Sequence, residues 1–269
     1  MAGIYRLRGV LASGGVAFGA TTQVPSPTIV EILGRVGYDF TIIDTEHGQF
    51  DLETARGLIR AAQGSNLSPL VRVVNNDPTR ILRALDAGAE GIIIPHVSDA
   101  TDASKAVDAC RYWPHGHRGA CPLVRAADYG LADWSSYQKA ANAMTLVCVL
   151  IEDLEGAENI EHILSVQGID IVYLGAFDMS VAAGYSGNVR HPRILAALDR
   201  ILDACAAKHI PVMHTLVNSP DIEAWIKKGV RLIVHGPDAS IFAKACRAFL
   251  DSVSHLRKSA EAALREGEA

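Results

Sequence analysis

Little in this sequence points to a membrane, a nucleic acid or an oxidising compartment. Charge runs are absent, and a net charge of −5 with a pI near 6.0 leaves no basic footprint for a nucleic acid. The five cysteines (Cys110, Cys121, Cys148, Cys205, Cys246) are odd in number and show no C-x-x-C spacing. Most lie in apolar stretches, which reads as reduced, buried thiols. The start, M-A-G-I-Y-R-L-R, carries charge, but no apolar h-region of a signal peptide follows it. No apolar run is long enough to span a bilayer. A cytoplasmic protein without a membrane or nucleic-acid partner is expected.

Further absences narrow the chemistry. No G-x-S-x-G elbow is present, which weakens a Ser-His-Asp reading. The turn after the first apolar run is T-T-Q-V-P-S-P and lacks the G-x-G-x-x-G of a dinucleotide-binding sheet. No lysine stands at the end of a strand-like run, where a Schiff-base enzyme needs one. There is no internal repeat and no linker, so residues 1–269 read as one domain.

What is there is an ordinary globular composition, 49% hydrophobic and 20% charged, long enough for one α/β barrel. The stretch from Thr145 to Ser180 organises it. An apolar run, T-L-V-C-V-L-I, ends on Glu152; a helical pattern follows; a second run, I-D-I-V-Y-L-G, leads to Asp178. Two buried strands flanking a helix form a βαβ unit, whose crossover is almost always right-handed. Glu152 and Asp178 are therefore brought together at one sheet edge. On spacing alone two readings stand: a divalent-cation site made of oxygen ligands, or two strand-end acids capping the following helices.

The same pattern repeats along the chain. Strands are predicted at Gly15–Ala20, Phe40–Asp44, Pro69–Val73, Gly91–Val97, Ile210–Val217 and Val230–Val234, besides the central pair. Helices begin at Ser26-Pro27, with Ser26 as N-cap, at Asp77-Pro78 and at Ser219-Pro220. Another runs from Asp99 to Trp113-Pro114, and the last presents Phe242, Ala245, Phe249 and Val253 on one face. A loop-rich insertion occupies about 115–142, a size that is usually functional. Eight strands alternating with eight helices predict a (β/α)₈ TIM barrel. Its strand ends would carry Asp44, Glu46, His47, Arg72, His96, Glu152, Asp178, His214, His235 and Asp238. Taken singly, Arg72 is equally an ion-pair partner for Asp44, His47 a satisfied strand-end histidine, and Asp86 an exposed helix acid.

The motifs I-I-D-T-E-H-G (42–48), V-R-V-V-N-N-D-P (71–78), L-D-A-G-A-E-G-I-I-I-P (85–95), H-R-G (117–119), I-E-D-L-E-G-A-E-N (151–159), the G-x-x-D-[LM]-S pattern at Gly175–Ser180 and G-Y-S-G-N (184–188) together resemble the HpcH/HpaI family of class II pyruvate aldolases. The resemblance implies a divalent metal ion (Mg²⁺, Mn²⁺ or Co²⁺) on Glu152 and Asp178. It implies Arg72 at the pyruvate C2 oxygen, His47 in proton transfer with Asp86 as its acidic partner, and Asp44 behind them. The backbone at Phe177-Asp178, after Gly175, would receive the pyruvate carboxylate. The implied reaction is reversible cleavage of a 4-hydroxy-2-oxo acid to pyruvate and an aldehyde. Alternatives are oxaloacetate decarboxylation or another enolate addition on the same fold, and a non-catalytic oxo-acid-binding barrel. The resemblance also implies a homo-oligomer, a hexameric trimer of dimers, with the last helix exchanged and the insertion near a neighbour's active site. Two positions depart from the family pattern, Phe177 and Ala120-Cys121-Pro122-Leu123, and both fall where the aldehyde part is expected.

Overall fold

The computed structural model describes residues 6–217 and 219–267. Eight parallel strands close into a barrel in chain order. They are β1 (Ala17–Thr22), β2 (Phe40–Asp44), β3 (Ser68–Arg72), β4 (Gly91–Ile94), β5 (Leu146–Ile151), β6 (Ile171–Leu174), β7 (Val212–Thr215) and β8 (Val230–Pro237). The helices are α1 (Arg6–Ala12), α2 (Pro27–Val36), α3 (Leu52–Gly64), α4 (Pro78–Asp86), α5 (Ala100–Cys110), α6 (Trp134–Met144), α7 (Leu154–Glu158), α8 (Ile160–Ile163), α9 (Ala176–Ala182), α10 (Pro192–Ala207), α11 (Ser219–Lys227) and α12 (Asp238–Gly267). The barrel class holds, although the layer between β5 and β6 is split into α7 and α8, and β1 begins and ends two residues later than predicted.

Two packed layers explain the apolar strands. Phe40, Ile42, Leu70, Ile93, Leu146, Cys148, Leu150, Tyr173, Met213 and Leu232 fill the barrel interior. The alternate positions, such as Ile43, Val71, Ile92, Val149 and Val172, pack against the helices. Each strand is thus buried on both faces, as parallel sheets are. Parity also aims the strand ends: Asp44 continues Phe40 and Ile42, Arg72 continues Leu70, and Glu152 continues Cys148 and Leu150, all on the inward side.

The sequence did not signal α1. Its seven residues close the N-terminal end of the barrel. Leu7 is fully buried in the interior cluster and its N–H bonds the Ser68 hydroxyl. Arg8 bonds the Met144 and Thr145 carbonyls and Asp170. Local rules succeed at Asp77, whose carboxylate caps the N–H groups of Thr79 and Arg80, and at Gly37, which ends α2 in the left-handed conformation. They fail at Ser26, whose side chain makes no cap bond. They fail again at α5, which stops at Cys110: Arg111 turns extended and bonds the Thr145 carbonyl and Asp170.

The insertion leaves the end of α5 and re-enters at the start of β5, so it covers the N-terminal end of its own barrel. There a cavity of about 800 Å³ is lined by Arg6, Ser68, Glu90, Arg118, Arg125 and Tyr137, among others. The barrel's last helix, α12, spans 30 residues, about 45 Å at 1.5 Å per residue. Ile241 packs against the core, but Phe242, Phe249, Leu250 and Leu256 remain exposed. Among the described residues, these apolar side chains of α12 do not pack on their own barrel.

Candidate active site

The C-terminal ends of the strands gather acids and bases around Asp44. This carboxylate is fully buried and receives five donors. Arg72 meets it edge to edge, with Nε on Oδ1 at 2.9 Å and Nη2 on Oδ2 at 2.7 Å. Gln23 Nε2 donates to Oδ2 at 2.8 Å. The backbone N–H groups of Glu46 and His47 donate to Oδ1 at 3.1 and 3.2 Å. The β2–β3 register sets Asp44 beside Arg72, and the D-T-E-H-G segment wraps the carboxylate in a tight turn. Gly48 permits that turn, since a Cβ there would collide with the Asp44 carbonyl. Burial pushes the Asp44 carboxyl up, but the hydrogen bonds and charge of Arg72, with Gln23 and the His47 N–H, outweigh it and hold it below the usual range.

Arg72 thus does make the ion pair with Asp44 that its sequence position allowed. The pair uses Nε and Nη2 and leaves Nη1 outside it. Glu46 lies 3.3 Å from Arg72 Nε, and its Oε2 is buried without a hydrogen-bond partner among the described residues. The His47 side chain is exposed at the rim.

Glu152 and Asp178 come from neighbouring strand-to-helix junctions; β6 ends at Leu174, so Asp178 does not close that strand as expected. Glu152 follows β5 and is 6% exposed; Asp178 sits exposed in the first turn of α9. Gly175 lies against Glu152, and any Cβ there would strike the Glu152 side chain. Burial raises the Glu152 carboxyl above its ordinary value. The His96 backbone N–H and ring oppose that rise, and the charges of Asp178 and Glu46 add to it. Carboxylates forced together in this way suit a cation. The donors are oxygens, which fit hard divalent ions. Among the described residues no three His, Cys, Asp or Glu side chains form a closed cage. Two carboxylates with water and substrate completing the shell is a common arrangement for Mg²⁺.

Not every expected residue reaches this mouth. Helix α4 runs antiparallel to the strands, so Asp86, at its last position, lies at the opposite end of the barrel. There it pairs with Arg118 at 2.7 Å. Within one chain Asp86 is not beside His47. The insertion lies at that far end too and contributes nothing to its own chain's mouth. His214 faces the helices and packs edge-on to Trp225, and burial pushes its ring down to about 4. His235 accepts or shares a proton with the Tyr38 hydroxyl at 2.7 Å. Gln23, Glu46 and His96 belong to the site without having been assigned roles there. Gln23 lies in the very T-T-Q-V-P-S-P turn whose missing glycines were informative.

A closed parallel barrel with carboxylates after β5 and β6, a buried Asp–Arg pair after β2 and β3, and no lysine on any strand has the makings of a metal-dependent lyase of the aldolase class. The chain belongs to the HpcH/HpaI aldolase/citrate lyase family, whose model matches residues 22–245. It is 30% identical over 247 residues to the 5-keto-4-deoxy-D-glucarate aldolase of Enterobacter sp. (strain 638), covering 92% of this chain and 96% of that protein. Among solved structures, a family member from Burkholderia cenocepacia J2315 superposes with a TM-score of 0.87 at 30% identity, covering 92% of this chain and 98% of that one. The citrate synthase SbnG does so with a TM-score of 0.86 at 30% identity, covering 94% and 99%.

Proposed function

We propose that this aldolase reversibly cleaves a 4-hydroxy-2-oxo acid to pyruvate and an aldehyde. The observation that carries the reading is the meeting, at one end of the barrel, of Glu152 and Asp178 with an arginine locked by a buried aspartate, on strands free of lysine. Cleavage leaves negative charge on the C2 oxygen of the departing pyruvate, and that charge must be held. Arg72 remains charged at any working pH and supplies planar donors to this oxygen. Asp44 fixes the guanidinium plane, so alignment is complete before substrate arrives. Glu152 and Asp178 would hold a divalent ion, Mg²⁺, Mn²⁺ or Co²⁺, which would supply Lewis-acid polarisation of the oxo acid. The backbone at Phe177-Asp178, after Gly175, receives the pyruvate carboxylate. His47 takes the proton of the C4 hydroxyl, directly or through water, as a neutral imidazole nitrogen can. Asp86 assists His47 only where a neighbouring subunit presents it. The relatives named for 5-keto-4-deoxy-D-glucarate make that sugar acid the first substrate to assay.

The protein works in the cytoplasm as a homo-oligomer, a trimer of dimers that covers the apolar face of α12 by exchange between partners and sets each insertion near a neighbour's mouth. Pyruvate release from a panel of 4-hydroxy-2-oxo acids tests the reaction. Chelation should abolish it and added Mg²⁺, Mn²⁺ or Co²⁺ restore it. Borohydride with pyruvate should leave the enzyme active; a trapped covalent adduct would overturn the assignment.

A further inference from the structure

His96 stands two residues beyond β4, with φ at +55°. A left-handed backbone at a non-glycine residue is strained and persists where the surroundings over-determine it. Here the surroundings are two carboxylates from other strands. The His96 backbone N–H donates to Glu152 Oε1 at 2.8 Å, and its ring Nδ1 lies 2.8 Å from the same oxygen. Its Nε2 lies 3.3 Å from Glu46 Oε1, and Glu46 in turn adjoins Arg72. The ring therefore links the end of β2 to the end of β5 across the mouth. Both contacts to Glu152 fall on Oε1, which leaves Oε2 outside the clamp, while Gly175 presses on the same side chain from β6. A carboxylate whose one oxygen accepts from a backbone N–H and lies against the ring, and which is packed against backbone, has a single direction in which to offer the other.

We propose that His96 is a positioning residue of the cation site, which fixes Glu152 Oε1 so that Oε2 is presented to the ion and couples that carboxylate to Glu46. The inference rests on the reading of Glu152 and Asp178 as ligands. Hydrogen-bonded partners behind a metal ligand typically set affinity by about 10–100-fold. The test is Mn²⁺ affinity of the full-length protein, by calorimetry and by electron paramagnetic resonance of the free ion, without substrate. His96→Gly keeps the backbone donor, relieves the left-handed φ and removes the ring. It should weaken Mn²⁺ binding by about 10–100-fold while the metal-free melting temperature does not fall. His96→Asn tolerates the same backbone and carries a side-chain donor near the Nδ1 position, so it should recover most of the affinity. His96→Ala serves if the glycine variant does not fold. Affinity within twofold of the parent in the glycine or alanine variant overturns the proposal, as does an asparagine variant no better than either. Glu152→Ala separates the two levels of the argument. If it binds Mn²⁺ like the parent, the metal site itself is misplaced; if it loses Mn²⁺ while the His96 variants do not, only the role of His96 falls.

Discussion

Asp44→Asn is the most informative single change, because one buried carboxylate serves both stability and chemistry. An asparagine has one acceptor oxygen where Asp44 uses two. If that oxygen keeps the Glu46 and His47 N–H groups and Arg72 Nε, its NH₂ group faces Gln23 Nε2 and Arg72 Nη2, both donors. The buried guanidinium then loses its counter-charge, with Glu46 at 3.3 Å the remaining acid beside it. Two charge-assisted hydrogen bonds at about 1.5–3 kcal/mol each agree with the roughly 3–5 kcal/mol for breaking a buried pair. At about 2–4 °C per kcal/mol for a domain of this size, the melting temperature should fall by roughly 6–20 °C. The folded-state value of Asp44 lies below 3.8, so its stabilisation is full above that pH and is lost as pH falls through the lower value. The gap between parent and variant should therefore stay constant across neutral pH and close only in strong acid. Exchange of the pyruvate C3 protons with deuterium, followed by NMR, should drop with the loss of Arg72 alignment. A variant melting within 2 °C of the parent, by the roughly 2–4 °C per kcal/mol scale, with near-normal exchange would refute the reasoning.

Three further outcomes are expected. Arg72→Ala should keep its Mn²⁺ affinity but lose about 10²–10³-fold in pyruvate C3 exchange, the usual cost of one oxyanion donor; unaltered exchange removes Arg72 from the chemistry. Burial pushes Glu90 up to about 7, against the opposing Ser68 hydroxyl, so its contribution is present below pH 4.5 and lost as pH rises through 7. Glu90→Gln should therefore be more stable than the parent at pH 8, by up to about 3 kcal/mol, and match it near pH 4.5; equal stability at both values would count against a raised Glu90. Light scattering should give a closed oligomer rather than the 28.7 kDa chain, and truncation before Ser240 should dissociate it into poorly soluble protein; an active monomer would refute the exchange of α12.

The sequence by itself determined the barrel and much of its rim. Alternation of apolar runs with helical patterns is a local property, and parallel strands buried on both faces must read as continuous apolar runs. The right-handed crossover then placed Glu152 beside Asp178, and the strand ends named Asp44 and Arg72. That same uniform burial hid the parity of each strand. Only the closed barrel shows that Asp44, Arg72 and Glu152 point inward while His214 points to the helices. It also decided what no local pattern carries. Helix direction sent Asp86 and the insertion to the far end. A seven-residue helix too short to signal itself became the floor of the barrel. Residues 56 apart in the chain, His96 and Glu152, were joined by a hydrogen bond that exists only once β4 and β5 lie side by side.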